Sequence, residues 1–175
     1  MNGPRAGYNA VPGDNNTISN LPPTEPIKPG PESGASAGGK EPIPLVGPER
    51  FKDYIPHPEI LKSYSLYFDF DKSAIKPGER PKLNSVAEYL KGHQGQAVRI
   101  EGNCDERGTE EYNRALGERR ALAAREALVE LGIDAMMIET ISYGKDRPAA
   151  PGHDESAWRL NRRDDFVVLT PPGTP

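Results

Sequence analysis

In residues 65–70, Leu66, Phe68 and Phe70 alternate with Tyr67 and Asp69, the period-two pattern of a half-buried strand, with Asp71 at its carboxyl end. Pro77 and Gly78 mark a turn, and beyond it Leu83, Val86, Ala87 and Leu90 recur at helical spacing up to Gly92. That predicts an amphipathic helix of about four turns. Val98 and Ile100 alternate with Arg99 and Glu101 in a second strand, which Gly102 ends. Thr109 is placed to cap a second helix, with Glu110 and Glu111 in the first turn where the helix dipole favours anions. An alanine-rich, charged helical pattern then continues to Gly132. A third strand is predicted over 138–142, a long loop over 143–155, a short helical turn over 156–160 and a last strand over 166–169. This order, βαβαβ-(short α)-β, predicts an α/β (α+β) two-layer sandwich. Its four-stranded mixed sheet carries the two long helices on one face.

Composition changes the picture mainly at the amino terminus. Residues 1–48 hold 10 prolines and 8 glycines with few large apolar side chains, too little apolar surface to offset the entropy of ordering. They read as a disordered tether, whose extended reach is on the order of 150 Å at about 3.1 Å per residue. Residues 49–62 form an ordered lead-in in which Phe51, Tyr54, Ile55, Ile60 and Leu61 lie against the domain, residues 63–170 form that domain, and 171–175 form a flexible tail. The net charge of -4 comes from interspersed charges with no basic run, which argues against nucleic acid as a partner. No stretch approaches the roughly 20 apolar residues of a membrane span, and residues 1–16 lack the apolar core of a secretory signal. The single cysteine, Cys104, excludes an internal disulfide. His57, His93 and His153 are scattered, so neither a metal nor another cofactor is expected.

The candidate chemistry lies in residues 102–121. Asp105 follows a strand, and Arg120 stands fifteen positions later in the next helix, on one stripe with Asn113 and with Leu116 or Gly117. Asp71 also follows a strand, so one groove can collect them all. A carboxylate and a planar guanidinium suit a ligand that carries both an ammonium and a carboxylate. The alternative is an internal salt bridge between Asp105 and a helix arginine. Arg119 points about 100° away from Arg120 and reads as solvated. Cys104 reads as a small semi-buried filler, Trp158 as a core aromatic and His153 as a loop tether. A hydrolase would draw its acid and base from Asp69, Asp71, Asp105 and Glu106, but Arg120 beside Asp105 would keep that group ionised.

FDFDKSAI, GNCDERGTEEYNRALGERRA, SYGKDRPAAPGHDE and NRR occur in this order. Together they resemble the OmpA-like peptidoglycan-binding domain over about residues 63–169. The resemblance implies the same two-layer fold and noncatalytic binding of meso-diaminopimelate in the stem peptide of Gram-negative peptidoglycan. Asp105 and Arg120 would hold that residue, Asp71, Asn113 and Arg163 would line the site, and Thr109 would lie near it. It further implies a periplasmic, outer-membrane-associated anchor with Tol-system proteins as possible partners, attached through a lipid anchor that this sequence does not contain. A porin tail or a flagellar stator could carry the same domain. One departure stands out: the family turns apolar after NRR, whereas here Asp164 and Asp165 follow. These aspartates are expected to weaken the start of the last strand or to pair with Arg162, which leaves the role of Arg163 open.

Overall fold

The computed structural model describes residues 44–173. The expected tether falls almost wholly outside the described residues, as does the end of the expected tail. The described part is a five-stranded sheet. It contains β1 (Ile55–His57), β2 (Leu66–Tyr67), β3 (Ala97–Asn103), β4 (Ile138–Gly144) and β5 (Arg163–Thr170), with helices α1 (Arg80–Gly92), α2 (Glu110–Glu130) and α3 (Glu155–Asn161). β3 runs parallel to β4 and antiparallel to β5. The far edge of β5 is shared end to end, β1 pairing with residues 168–170 and β2 with residues 163–164.

Strand alternation sorts the core into two sides. Val98, Ile100, Phe166 and Val168 face α1 and α2, whose Leu83, Val86, Leu90, Ala121, Ala124 and Leu128 close over them. Both long helices therefore lie on one face, as the periodicity requires. The opposite side holds a smaller cluster in which Phe51 covers Ala97, Val167 and Leu169, with Val46 and Tyr54 against it. Burying Phe51 draws the lead-in onto the sheet, and buried Arg125 adds hydrogen bonds to the carbonyls of Pro44 and Ala135. That docking makes the fifth strand. Pro56 can stand in β1 because an edge strand leaves one side of its backbone unpaired.

The first half of α2 sits directly on the strand ends. A Cβ on Gly102 of β3 would lie 2.0 Å from the carbonyl oxygen of Gly117 in α2, and a Cβ on Gly117 would lie 2.4 Å from Ser142 Oγ of β4. With no side chain between helix and strand, the stripe from Asn113 to Arg120 is pressed onto the carboxyl ends of β3 and β4. Thr109 caps the helix by accepting a hydrogen bond from the Tyr112 N–H at 3.2 Å.

Two ends differ from the periodic reading. The strand predicted over 65–70 is reduced to Leu66–Tyr67, because the chain turns with Lys72 N–H donating to the Asp69 carbonyl and Asp71 at φ 56. Phe70 consequently leaves the core face and is 55% exposed. The last strand begins at Arg163 instead of Phe166, and the two aspartates join it on opposite sides. Asp165 accepts a hydrogen bond from the Ser65 hydroxyl and pairs with Arg163 at 2.8 Å. Asp164, on the helix side, is 0% exposed, and neither of its oxygens has a hydrogen-bond partner among the described residues. It does not pair with Arg162, whose guanidinium is committed to Asp105 and Glu155. Burial drives the Asp164 pKa well above the ordinary value of 3.8, against the opposing pull of Arg120.

Two stability predictions follow from these contacts. Gly102→Ala forces a methyl group against main-chain atoms and should lower the unfolding free energy by about 1–3 kcal/mol, read from urea denaturation. Asp164 holds its proton more tightly in the native than in the unfolded chain, so its contribution to stability falls as pH rises above 3.8. Asp164→Ala should therefore gain stability relative to the parent chain as pH is raised, measured as the difference between their Tm values from pH 4 to pH 8. A constant difference would show that the buried carboxyl does not titrate abnormally.

Candidate functional site

The carboxyl ends of β2 and β3, the start of α2 and the residue after α3 surround a cavity of about 180 Å³. Arg120 forms part of its floor. Its side chain is 0% exposed, with Nε donating to the Lys72 carbonyl at 2.8 Å, Nη1 to the Asn103 carbonyl at 2.8 Å and Nη2 to the Asp69 carbonyl at 3.3 Å. Nη1 also lies 3.5 Å from Cys104 Sγ, and the guanidinium stands 5.0 Å above the Phe68 ring. Four of its five N–H groups are thus engaged. Burial lowers its pKa from the ordinary arginine value.

Asp105 is also buried, but Arg120 is not its counter-ion. Its carboxylate is held by Arg107, through Nη2 at 2.6 Å and Nε at 3.1 Å, and by Arg162 Nη1 at 3.3 Å. The main-chain N–H of Arg107 adds a further bond at 3.1 Å. Burial pushes its pKa up, and the donors of Arg107 and Arg162 outweigh that, leaving it below the ordinary aspartate value. The internal salt bridge foreseen for Asp105 exists, with arginines from a loop and from the end of α3 in place of one from α2.

Of the other expected site residues, Asp71 and Asn113 line the cavity. Asp71 accepts a hydrogen bond from the Tyr112 hydroxyl. Asn113 donates to the carbonyls of Arg107 at 2.8 Å and Thr109 at 3.1 Å, fixing the loop that carries Arg107. Thr109 acts as the cap of α2 and does not line the cavity. Arg163 points to the other side of the sheet, where it pairs with Asp165 and donates to the Arg147 carbonyl. The cavity instead receives Arg162, whose Nε donates to the Phe68 carbonyl at 3.0 Å. The parity of β5 decides this, since positions 164, 166 and 168 face the helices.

Sequence reasoning missed the rim. The Arg107 guanidinium is sandwiched between Phe70 at 3.8 Å and Trp158 at 4.0 Å. Trp158 is only half-buried and does not fill the core, because α3 turns Ala157 and Asn161 inward. Its indole N–H donates to Glu106 at 2.9 Å, and His153 Nδ1 meets the same carboxylate at 2.7 Å. Asn161 clamps the long loop by accepting hydrogen bonds from the main-chain N–H groups of Ala149 and Ala150. Cys104 donates weakly to the Asn113 carbonyl, and burial pushes its thiol up to about 11, which keeps it protonated and unreactive. No cluster of metal-ligating side chains occurs among the described residues.

Known proteins share this architecture. The crystal structure of the peptidoglycan-associated lipoprotein from Burkholderia pseudomallei matches with a TM-score of 0.58 and 48% identity, covering 59% of this chain and 88% of that one. The peptidoglycan-associated lipoprotein of Pseudomonas aeruginosa is 52% identical over 99 residues, 57% of this chain and 58% of that protein. That of Legionella pneumophila is 43% identical over 119 residues, 68% of this chain and 65% of that protein. The matched region thus spans less than two thirds of these curated relatives. The OmpA family pattern covers residues 67–162, from β2 to the arginine that closes the cavity, and on this match the chain belongs to the OmpA family.

Proposed function

We propose that this chain binds peptidoglycan without cleaving it, through the diaminopimelate of the stem peptide, and so anchors an outer membrane to the cell wall. One observation carries the reading: a single cavity at the strand ends brings together Asp71, Asp105, Asn113, Arg120 and Arg162. Diaminopimelate offers an ammonium and a carboxylate on one carbon, and a cavity with carboxylates and guanidiniums on its walls matches both. The relatives are named peptidoglycan-associated lipoproteins, which supports peptidoglycan as the polymer bound. In this reading Asp105 takes the ammonium, the Arg120 side of the cavity takes the carboxylate, and Asp71 and Asn113 line the pocket. Thr109 supports it from the cap of α2, and Arg162 replaces Arg163 in the wall. Residues 1–48 serve as the spacer, residues 63–170 as the binding domain, and Tol-system proteins are the candidate partners at the periplasmic side of the outer membrane.

The acid–base chemistry favours a binder over a hydrolase. A general acid needs a raised pKa, whereas Asp105 and Glu106 are both shifted below their ordinary values. The carboxyls whose pKa burial raises, Glu101 and Asp164, do not line the cavity.

Sedimentation with purified sacculi tests the reading. The parent chain should pellet with diaminopimelate-type sacculi and release no soluble muropeptides, and it should pellet far less with the lysine type, which lacks the second carboxylate. Asp105→Asn and Arg120→Lys should each weaken retention by about tenfold or more, the loss of one or two charged hydrogen bonds. Lysine at 120 keeps a donor for the buried carbonyls, so cooperative unfolding should survive. Full retention by both variants overturns the assignment.

A further inference from the structure

Asp105 accepts four hydrogen bonds, two on each oxygen: the main-chain N–H and Nε of Arg107 on Oδ1, and Arg107 Nη2 and Arg162 Nη1 on Oδ2. An ionised carboxylate offers about four lone-pair sites. The group assigned to an incoming ammonium is therefore already saturated, and one of its present donors must leave before it can accept another.

The two arginines differ in how firmly they are fixed. Arg162 is buried, with Nε on the Phe68 carbonyl and both terminal nitrogens on Glu155. Removing it would strand a main-chain acceptor and break a second ion pair. Arg107 keeps 30% of its side chain exposed, and among the described residues its guanidinium has no hydrogen-bond acceptor other than Asp105. It is otherwise held by ring faces, Phe70 from the turn after β2 and Trp158 from α3. Phe70 is itself largely open to solvent, so that side of the sandwich can part without disturbing the core.

We infer that the Arg107 guanidinium is a built-in competitor, occupying on Asp105 the place that the ligand's ammonium takes, and that binding is an exchange in which this side chain swings out. This rests on the assignment of Asp105 to the ammonium. After the exchange, Asp105 still accepts from Arg162 and from the Arg107 main chain, so the carboxylate stays oriented while two of its four sites change hands. A cation is replaced by a cation at a buried carboxylate, which avoids leaving Asp105 uncompensated at any stage. Arg107 then acts as a specificity residue: a ligand displaces it only if a cationic amine reaches Asp105 while the rest of the ligand is anchored elsewhere in the cavity.

Trp158 is the only tryptophan of the chain, so the departure of Arg107 from its ring can be followed by fluorescence. The experiment titrates the full chain with free meso-diaminopimelate, reading Kd by calorimetry and the emission of Trp158 in parallel. Emission of the parent chain should change in step with binding. Arg107→Gln should bind about tenfold tighter or more, since two charged hydrogen bonds no longer compete, and its emission should stay flat on binding. Arg107→Lys, which keeps the charge without the bidentate fork, should fall between the two. Equal or weaker binding by Arg107→Gln, with Asp105→Asn still weakening binding, overturns the exchange and leaves the site assignment standing. Undiminished binding by Asp105→Asn, or no binding by the parent chain, overturns the site assignment and the exchange with it.

Discussion

The buried guanidinium of Arg120 is the constraint on which the cavity depends. From the middle of α2 it reaches the carbonyls of Asp69 and Lys72 in the turn after β2 and of Asn103 at the end of β3. Two segments distant in sequence thus share one planar donor set, and their carbonyl directions are fixed by it. Only arginine presents donors on three nitrogens in one plane, and lysine would satisfy these acceptors from a single point. The Gly102–Gly117 contact makes the reach possible, since any side chain between helix and strand would lift Arg120 away from the strand ends.

Around that floor, two buried aspartates with nearly equal exposure meet opposite fates. Asp105 ends a strand where the chain opens into a loop, and the next turn returns a main-chain N–H and a guanidinium to it. Its charge is stabilised despite burial. Asp164 stands inside β5 opposite Gly102 of β3, where both neighbours spend their backbone groups on the sheet ladder. Among the described residues no donor reaches it, and burial disfavours its charge. Local backbone freedom, more than depth, separates a useful carboxylate from a costly one.

The regular elements were legible in the sequence because each rests on one periodicity. Leu83, Val86, Ala87 and Leu90 declare α1, and Val98 and Ile100 declare β3, whatever surrounds them. The Asn113–Arg120 stripe and its meeting with Asp71 and Asp105 followed from helix geometry and strand order. What escaped depends on parity and on contacts between distant loops. One residue of register at the start of β5 decides that Arg162 and not Arg163 enters the cavity. Arg107 as the partner of Asp105 is invisible in the sequence because two-residue loop pairings leave no periodic trace. Phe70 and Trp158 look like core residues to any pattern of apolar positions, and only the turn at Asp71 and the inward face of α3 carry them to the rim. The strand at Ile55–His57 was hidden by Pro56, a residue that argues against a central strand but not against an edge.

Charge balance connects the architecture to the proposed ligand. The guanidiniums of Arg107, Arg120 and Arg162 border the cavity, and Asp71, Asp105 and the Arg162-bound Glu155 oppose them, three charges of each sign. A ligand head with one ammonium and one carboxylate enters such a site without changing the balance. A simple amine or a simple carboxylate would add one uncompensated charge beside Asp105, Arg120 and Arg162, which are buried, and that is costly. The ring-covered Arg107 sharpens the same preference. Its guanidinium leaves Asp105 only when another cation arrives, and once released to the rim it is the counter-charge for the carboxylate which that cation brings. Discrimination in favour of a zwitterionic head then requires no pocket of unusual shape, because the internal ion pairs already set the terms of entry.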